Sequence, residues 1–354
     1  QLRPAIPTKK VVLISIDGFR PEFYLNKEFN APTLKKLSQK GIYSEGMVSV
    51  FPSVTYPNHT SIVTGKTSAQ HGILSNTKFN WKDGPTTEWY WYEKDIKVKT
   101  LWDELKENGL KTAAIHWPVT AGAPIDYNIP EIFKAPPWNT EESFVLVNRH
   151  GTKNLANQLN KKLELKPYTN MKEADRWAAK VSRFMYEEYQ PSLLALHIIY
   201  ADKNQHESGR TSEQTKNAVT WIDKQITPLI ESLDKQTCLL IVGDHGFIDY
   251  RKVIHINALF AEKGWIKLDQ NGELKSYQVI AHKSGGQAAI YLKDQNIKDK
   301  VMRTLRLNQK LGYEKGICPN AELFYEKIIS LPIFPTLKEE EQNFVIKKIK
   351  EFFS

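Results

Sequence analysis

Short runs of apolar residues alternate along this chain with longer segments of helical periodicity. The run KVVLISID at residues 10–17 lacks the polar alternation of a half-buried strand, so it predicts a strand buried on both faces. Similar runs are LKTAAIHW (110–117), SLLALHIIYAD (192–202) and TCLLIVGDHG (237–246). The helical segments are APTLKKLSQKG (31–41), VKTLWDELKENG (98–109), MKEADRWAAKVSRFMYEEY (171–189) and TSEQTKNAVTWIDKQITPLIESL (211–233). Strands that alternate with helices predict an α/β fold, with a mostly parallel sheet and helices on both faces.

Two segments interrupt this alternation, at residues 77–98 and 117–170. Both are less periodic and richer in Trp, Pro, Asn and Tyr, so we expect a small cap inserted over one edge of the sheet. Clustered aromatic side chains can stack on a ligand or pack beneath a long loop, and packing is the commoner role. The candidates for ligand contact are Trp81, Trp89, Tyr90 and Trp91. With these insertions, residues 1–307 are predicted to form one domain.

Composition and charge are those of a soluble globular protein. The 354 residues are 41% hydrophobic and 25% charged, which suits a substantial core and excludes a disordered chain. The net charge of +9 comes from scattered basic residues, so a nucleic-acid duplex is not an expected partner. No run reaches the roughly 18 apolar residues of a membrane span. The two cysteines make no disulfide framework, and a first residue of Gln predicts a processed periplasmic or secreted protein.

Acidic and histidine side chains follow three of the predicted strands. Asp17, Asp202 and Asp244 each end an apolar run, His245 follows Asp244 directly, and His206 lies four residues after Asp202. Because the carboxyl ends of parallel strands share one edge of a sheet, the three carboxylates would repel each other there without a cation. One such aspartate is usually a turn former, but the five residues together are a ligand set for Zn²⁺, with Mn²⁺ or Fe as lesser options. The sequence therefore predicts a metal site at this edge.

A threonine in FPSVTYPNHTSIVTG (residues 51–65) is the candidate nucleophile. Pro57 suits the first turn of a helix, which places Thr55 at or just before the helix N-terminus. A hydroxyl there lies at the positive end of the helix dipole, and coordination to Zn²⁺ would lower its pKa enough to make an alkoxide available. The alternative is that Thr55 only caps the helix, which is the commoner role of a threonine in this position.

Five stretches of the chain together resemble a known family. They are ISIDGFRPEF, FPSVTYPNHTSIVTGKTSAQHGILSN, AIHWP, YADKNQHESG and VGDHGF. Over about residues 9–300 the chain resembles the nucleotide pyrophosphatase/phosphodiesterases of the alkaline phosphatase superfamily, which implies an alkaline-phosphatase-like fold and two zinc ions. The implied ligands are Asp17, Thr55, Asp244 and His245 for the first zinc, and Asp202 with His206 for the second.

The resemblance also implies a reaction. Thr55 would attack phosphorus in line and form a covalent phospho-threonine, while Asn76 in HGILSN would help to hold the phosphoryl oxygens. A Thr with an Asn is typical of the phosphodiesterase branch, so small phosphodiesters or nucleotides are the implied substrates. A monoesterase or a phosphonate hydrolase on the same metals is the alternative enzyme. A binding protein with impaired catalysis is the alternative from a different class.

A third ligand for the second zinc is missing from this pattern. The family places a histidine near the C-terminus in this role, but no histidine follows His282 in this chain. His282, in IAHKSGGQAAIYLKD, and His255 are the nearest candidates, and the context of His282 does not resemble the usual ligand motif. We therefore expect a complete first metal site and a looser second one.

From about residue 308 the chain resembles a different family. The stretch CPNAELFYEKIISLPIFP is similar to the C-terminal end of a sugar-nucleotide aminotransferase of the pyridoxal-phosphate type. The tail at 308–354 lacks the part that would carry the Schiff-base lysine, so no transaminase chemistry is expected. By its own pattern, TLKEEEQNFVIKKIKEFF predicts a helix with Thr336 as its cap, acidic residues early and lysines late.

Overall fold

The computed structural model describes residues 10–133, 140–250 and 253–308. The chain divides into two compact units, one of residues 1–251 and 255–293, the other of residues 252–254 and 294–354. The described part of the smaller unit contains a 3₁₀ turn at Gln295–Ile297 and a helix at Lys298–Asn308. The aminotransferase-like tail, with Thr336, lies from residue 309 onward outside the described residues. The predicted domain boundary at residue 307 stays a prediction.

Strands and helices follow one another as expected for an α/β protein. The strands are β1 (Lys10–Ile16), β2 (Thr77–Asn80), β3 (Gly84–Trp89), β4 (Thr112–Ile115), β5 (Tyr127–Ile129), β6 (Leu193–Ile198), β7 (Thr237–Val242), β8 (Ile266–Leu268), β9 (Leu274–Tyr277), β10 (Val279–Ser284) and β11 (Gln287–Leu292). The helices are α1 (Glu22–Leu25), α2 (Pro32–Lys40), α3 (Thr55–Thr64), α4 (Ser68–His71), α5 (Leu101–Glu107), α6 (Thr140–His150), α7 (Leu155–Leu163), α8 (Met171–Phe184), α9 (Tyr200–Ser208), α10 (Glu213–Ser232), α11 (Ile256–Glu262) and α12 (Lys298–Asn308). A π-helical turn at Met185–Tyr189 extends α8, and a 3₁₀ turn occupies Glu93–Asp95.

In the described residues, five strands form the central sheet, in the order β5-β4-β6-β1-β7, and every neighbouring pair is parallel. β1 lies between β6 and β7, so Ser15 is level with His197 on one side and with Val242 on the other. Three antiparallel hairpins, β2–β3, β8–β9 and β10–β11, lie outside this sheet. The predicted α/β fold with a mostly parallel sheet is confirmed.

Each face of the central sheet has its own apolar core, because successive residues of a strand point to opposite faces. Ile14 of β1 belongs to a buried cluster that includes Trp177 of α8. Its neighbour Leu13 belongs to a second buried cluster, which includes Trp102 of α5. Helices therefore cover both faces, as the alternation of strands and helices predicts.

Local sequence signals set the bounds of the predicted helices. α5 begins where Thr100 and Asp103 form a capping box, in which the Thr100 N–H donates to Asp103 Oδ2 at 2.8 Å. α2 begins at Pro32, which suits the first helical position, and ends before Gly41. Both lie inside the segments that the sequence marks as helical.

The prediction of a cap at residues 117–170 is wrong for part of that segment. Tyr127–Ile129 forms β5, which pairs with β4 and so belongs to the central sheet. Three residues are too few to show a strand period, which is why the sequence did not reveal it. In the other interrupting segment, the β2–β3 hairpin packs against β11, since the rings of Phe79 and Tyr291 stack at 3.5 Å between centroids.

The strand β7 is less buried than its sequence predicts. Its sequence predicts a strand covered on both faces, but Leu240 is 47% exposed and Cys238 is only half-buried. The physical reason is position: β7 is an edge strand, because no described strand pairs with it on the side away from β1. Among the described helices, none has the length and apolar character needed to cross a membrane.

Candidate metal centre and nucleophile

Asp17 and Asp244 are held at one edge of the central sheet by neighbouring strands. Asp17 directly follows β1, and its backbone N–H donates to the Ile198 carbonyl of β6 at 2.8 Å. Asp244 follows β7 after one glycine, and its Oδ1 accepts from the Gly18 N–H at 3.0 Å. Two aspartates from adjacent parallel strands therefore meet at the carboxyl edge, as predicted.

Asp202 reaches this edge by a different route from the predicted one. It does not end a strand: β6 ends at Ile198, and Asp202 lies in the first turn of α9. The short connection between β6 and α9 is fixed by Asp175 of α8, whose carboxylate accepts from the backbone N–H groups of Ile199 and Tyr200. The carboxylate of Asp202 is thus presented by the start of a helix rather than by a strand.

The imidazole of His245 lies at the centre of the cluster. Its Nε2 is 3.3 Å from Asp17 Oδ1, 3.3 Å from Asp244 Oδ2 and 3.3 Å from Thr55 Oγ1. Ligand atoms of Asp17, Asp202 and His245 all lie within 4.8 Å of one another. The resemblance implies six metal ligands, and the structure brings five of them together: Asp17, Thr55, Asp202, Asp244 and His245.

The electrostatics of these carboxylates fit a bound cation. Among the described residues, Asp17 Oδ1, Asp202 Oδ1 and Asp244 Oδ2 are buried and accept no hydrogen bond. Burial and the charges of Asp244 and Asp202 raise the pKa of Asp17 well above its ordinary value, and burial raises the pKa of Asp202. Burial would also raise the pKa of Asp244, but the charge of His245 lowers it. Three converging carboxylate oxygens and an imidazole nitrogen match the preference of Zn²⁺ for nitrogen and oxygen ligands.

His206 is the sixth candidate ligand, and it lies beside the cluster. It follows Asp202 by one turn of α9, and its Nε2 is 3.4 Å from Asp202 Oδ1. Its side chain is 67% exposed and contacts the ring of Phe247 edge-on at 4.7 Å between centroids. Asp202 and His206 form a carboxylate–imidazole pair on one helix face, open to solvent on the His206 side.

Thr55 is the first residue of α3, and its side chain faces the cluster. Val54 is the N-cap of this helix, so the alternative that Thr55 only caps the helix is wrong. Asn76 lies next to the same turn, because its Oδ1 accepts from the Tyr56 N–H at 3.0 Å. The hydroxyl of Thr55 and the amide of Asn76 are thus both placed at the N-terminus of α3, where the helix dipole favours negative charge.

Neither weak candidate for a third ligand of the second metal joins the cluster. His282 lies on β10, where its Nε2 is 2.9 Å from Thr77 Oγ1 and its ring is 6.0 Å from that of Phe79. His255 is exposed at the N-cap of α11. In the part of the chain that the structure describes, the ligand group around Asp202 includes neither histidine.

Two buried residues next to the cluster were missed by sequence reasoning. His197 of β6 contacts Asp17 Oδ2 through Nε2 at 3.2 Å and Glu131 Oε2 through Nδ1 at 2.8 Å. Burial opposes the charged imidazolium of His197, but its hydrogen bonds to Asp17 and Glu131 outweigh this effect and raise its pKa well above the usual value. A polar residue inside the apolar run LLALHII was the signal for His197. Glu131 follows β5 in a segment read as a cap, and nothing in its sequence context marks it.

The aromatic residues proposed for ligand contact mostly pack within the protein. Trp91 is buried, and its ring stacks on that of Trp89 at 5.3 Å between centroids. Both indoles contact the ring of Tyr56 edge-on. Trp81 is 48% exposed, with its ring edge-on to that of Phe79. The packing interpretation therefore holds for Trp89 and Trp91.

Comparison with protein families and curated proteins gives a consistent result. The model of the family described as type I phosphodiesterase/nucleotide pyrophosphatase matches residues 11–324. Ectonucleotide pyrophosphatase/phosphodiesterase family member 1 from Homo sapiens is 25% identical over 281 residues, which cover 74% of this chain and 26% of that protein. Family member 7 from Rattus norvegicus is 24% identical over 258 residues, or 69% of this chain and 51% of that protein. The chain thus spans about a quarter to a half of the length of these two relatives.

Solved structures show the same fold. Murine ectonucleotide pyrophosphatase/phosphodiesterase 5 aligns with a TM-score of 0.56 and 20% identity, covering 84% of this chain and 69% of that chain. Phosphonoacetate hydrolase from Sinorhizobium meliloti 1021, in complex with phosphonoformate, aligns with a TM-score of 0.60 and 18% identity, covering 85% and 73%. At these identities the similarity concerns the fold.

Proposed function

This chain belongs to the type I phosphodiesterase/nucleotide pyrophosphatase family, and we propose that it hydrolyses phosphodiester or pyrophosphate bonds in small, nucleotide-like substrates. The observation that carries the proposal is the position of the Thr55 hydroxyl, 3.3 Å from His245 Nε2 at the N-terminus of α3. A hydroxyl placed beside a cation-binding cluster and at the positive end of a helix suits attack on an anionic phosphoryl group.

We propose that the reaction depends on two zinc ions. Asp17, Thr55, Asp244 and His245 would hold the first, and Asp202 with His206 the second. Bound there, the ions would lower the pKa of the Thr55 hydroxyl and offset negative charge on the phosphoryl oxygens. Because neither His255 nor His282 joins the ligand group around Asp202, we expect the second ion to bind more weakly than the first.

The chain's own residues would carry the covalent chemistry. Thr55 Oγ1 gives up its proton and forms a bond to phosphorus as the bond from phosphorus to the leaving oxygen breaks, and the leaving oxygen takes up a proton, which gives a phospho-threonine and the free leaving group. Water then attacks the phosphorus and loses a proton, the bond to Thr55 Oγ1 breaks, Thr55 regains its hydroxyl proton, and a phosphate monoester is released. Asn76, held by the Tyr56 N–H through Oδ1, keeps its amide N–H₂ to donate to a phosphoryl oxygen.

The names of the relatives support the substrate class and the location. One murine structure of family member 5 is described as an inactive threonine-to-alanine variant in complex with AMP, which supports both a threonine nucleophile and a nucleotide-like ligand. The relatives are named as ectonucleotide enzymes, which supports the expected periplasmic or secreted location.

The test is hydrolysis of a chromogenic aryl phosphodiester by purified protein loaded with zinc. Thr55→Ala should lower kcat by roughly a thousandfold or more, because the nucleophile is lost. Ser53→Ala is the control, because it removes another hydroxyl from the same segment. Ser53 is exposed and its hydroxyl is hydrogen-bonded to Ser49 Oγ, so its loss should have little effect on kcat. Unchanged turnover in Thr55→Ala would contradict the proposed mechanism.

Substrate and metal titrations separate the alternatives. Faster turnover of an aryl monoester or of phosphonoacetate than of the diester would favour the alternative enzymes. Binding of AMP without turnover would favour the binding protein. A zinc titration should show one tight and one weaker site, and two equally tight sites would contradict the expectation of a loose second metal.

A further inference from the structure

A row of buried side chains connects the proposed metal ligand Asp17 with the residue that follows the nucleophile. His197 contacts Asp17 Oδ2 at 3.2 Å and Glu131 Oε2 at 2.8 Å, and the Tyr56 hydroxyl donates to Glu131 Oε1 at 2.8 Å. We call Asp17, His197, Glu131 and Tyr56 the buried bridge. Their exposed fractions are 3%, 0%, 4% and 0%, so bulk water does not compete for the hydrogen bonds between them.

The buried bridge joins four separate parts of the fold. Asp17 follows β1, His197 lies on β6, Glu131 follows β5, and Tyr56 is the second residue of α3. Its far end also reaches Asn76, because the Tyr56 N–H donates to Asn76 Oδ1 at 3.0 Å. One connected set of hydrogen bonds therefore touches a proposed metal ligand, the helix turn of the proposed nucleophile and the proposed phosphoryl-binding amide.

At its metal end, the buried bridge decides which carboxylate oxygen Asp17 presents to the cluster. Oδ2 is occupied by His197 Nε2, so Oδ1 is the oxygen that faces His245 Nε2. His197 is itself held through Nδ1, by Glu131 Oε2 and by the His116 carbonyl at 3.0 Å. Partners of this kind orient a ligand, and their loss typically weakens metal binding by roughly ten- to a hundredfold.

At its other end, the buried bridge fixes the first turn of α3. The ring of Tyr56 packs edge-on against Trp89 and Trp91, and its hydroxyl has one side-chain partner, Glu131, among the described residues. Since Thr55 precedes Tyr56, a change in the rotation of this turn moves the Thr55 hydroxyl away from the cluster. A displacement of about 1 Å in a reacting group can cost roughly a hundredfold in rate.

We propose that Glu131 and Tyr56 are positioning residues, which couple the orientation of the Asp17 carboxylate to the placement of Thr55. Neither is one of the proposed metal ligands, and both would act through another residue: Glu131 through His197, and Tyr56 through the first turn of α3. The kinetic part of this inference rests on the proposed function, whereas the metal-binding part does not. The competing explanation is a buried polar network that contributes only to stability.

The experiment measures zinc affinity, by competition with a chromophoric chelator, and steady-state kinetics on the aryl phosphodiester. Tyr56→Phe removes one oxygen and keeps the ring packing, and Glu131→Gln keeps the shape of the side chain. Glu131→Gln should weaken zinc binding by roughly ten- to a hundredfold. Tyr56→Phe should lower kcat by about tenfold or more with little change in KM, because the substrate still binds while the nucleophile is misplaced.

Tyr186→Phe is the matched control. Tyr186 is equally buried and its hydroxyl hydrogen-bonds Thr237 Oγ1 at 2.8 Å, at the opposite end of β7 from the cluster. A role in stability alone predicts the same result for all three variants: a lower unfolding midpoint with unchanged zinc affinity and kcat. The positioning role predicts that only Glu131→Gln and Tyr56→Phe change the zinc affinity or kcat.

A double variant supplies the decisive comparison. If the two residues act through one connected bridge, Tyr56→Phe should lower kcat less in the Glu131→Gln background than in the wild type. Wild-type zinc affinity and kcat in both single variants would overturn the inference. If the wild type itself fails to hydrolyse the diester, the proposed function is wrong, but the zinc affinity of Glu131→Gln still tests the positioning role of the buried bridge. If Glu131→Gln does not fold, the effect of Tyr56→Phe, which removes a single oxygen, tests that role alone.

Discussion

Zinc binding to the cluster should expel at least the proton of His245 from the protein. Burial disfavours the charged form of His245, but Asp244, Asp17 and Asp202 outweigh this and raise the pKa of its imidazole to about 9. The imidazole must lose its proton before Nε2 can bind a metal. At pH 7 only about 1% of the zinc-free protein would have a neutral imidazole, since each pH unit below the pKa changes that fraction about tenfold.

The size of the effect follows from this pKa. Between about pH 6.5 and 8.5, the His245 proton alone should make the apparent zinc affinity rise about tenfold per pH unit, or about 1.4 kcal/mol per unit. The cost of removing the His245 proton at pH 7 is then about 3 kcal/mol relative to a fully neutral imidazole. A group with the ordinary histidine pKa of about 6.5 would give an almost flat affinity above pH 7.5.

Two measurements check this prediction. Competition with a chromophoric chelator across the pH range gives the slope, and isothermal titration calorimetry in buffers of different ionisation enthalpy gives the number of protons released. His255→Asn, which removes an exposed histidine outside the cluster, should leave the slope unchanged. A pH-independent affinity above pH 7.5, or a His245 imidazole that titrates near pH 6.5 by NMR in zinc-free protein, would refute the reasoning.

Two further predictions concern stability. Trp102→Ala should lower the free energy of unfolding by about 3–5 kcal/mol, because the indole is fully buried. The control Leu101→Ala, at an adjacent residue that is 41% exposed, should lower it by about 1 kcal/mol or less. Equal losses for the two variants in urea titrations would argue against the placement of Trp102 in the core. Burial raises the pKa of Asp175 from 3.8 to about 7, despite hydrogen bonds from the Tyr200 and Ile199 N–H groups. The folded state therefore holds the Asp175 proton more tightly than the unfolded state does. The free energy of unfolding should fall by about 4 kcal/mol as the pH rises from about 4 to 7. Asp175→Asn should lack this part of the pH dependence, and unfolding curves with the same pH slope in variant and wild type would exclude Asp175 as its source.

The fold class could be predicted from the sequence because it depends on local patterns. The run VVLISI has no polar alternation, and such a run is typical of a strand covered on both faces. Helix bounds were equally local: the Thr100–Asp103 capping box sets the start of α5 within a segment already marked as helical. Periodicity and capping involve residues within a few positions of one another, so they can be read without knowing the rest of the fold.

Most of the candidate site was also accessible, through a rule of topology. Asp17 and Asp244 could be placed together because both follow strands of a parallel sheet, whose carboxyl ends share one edge. Asp202 reached the same edge for a different local reason, since β6 stops at Ile198 and the start of α9 presents the carboxylate. The candidate residues were thus identifiable even where their local structure was not.

The tertiary structure alone decided which distant side chains meet. Glu131 lies 66 residues from His197 and 75 from Tyr56, and no local pattern marks it as the partner of either. The place of Tyr127–Ile129 in the sheet, and the exposure of Leu240 in an apolar strand, likewise depend on which strands lie beside them. Local periodicity and capping depend on neighbours along the chain, whereas burial and the pairing of buried polar groups depend on neighbours in space. The sequence therefore determined the elements and the chemistry at their ends, and the folding of the whole sheet determined how that chemistry is oriented.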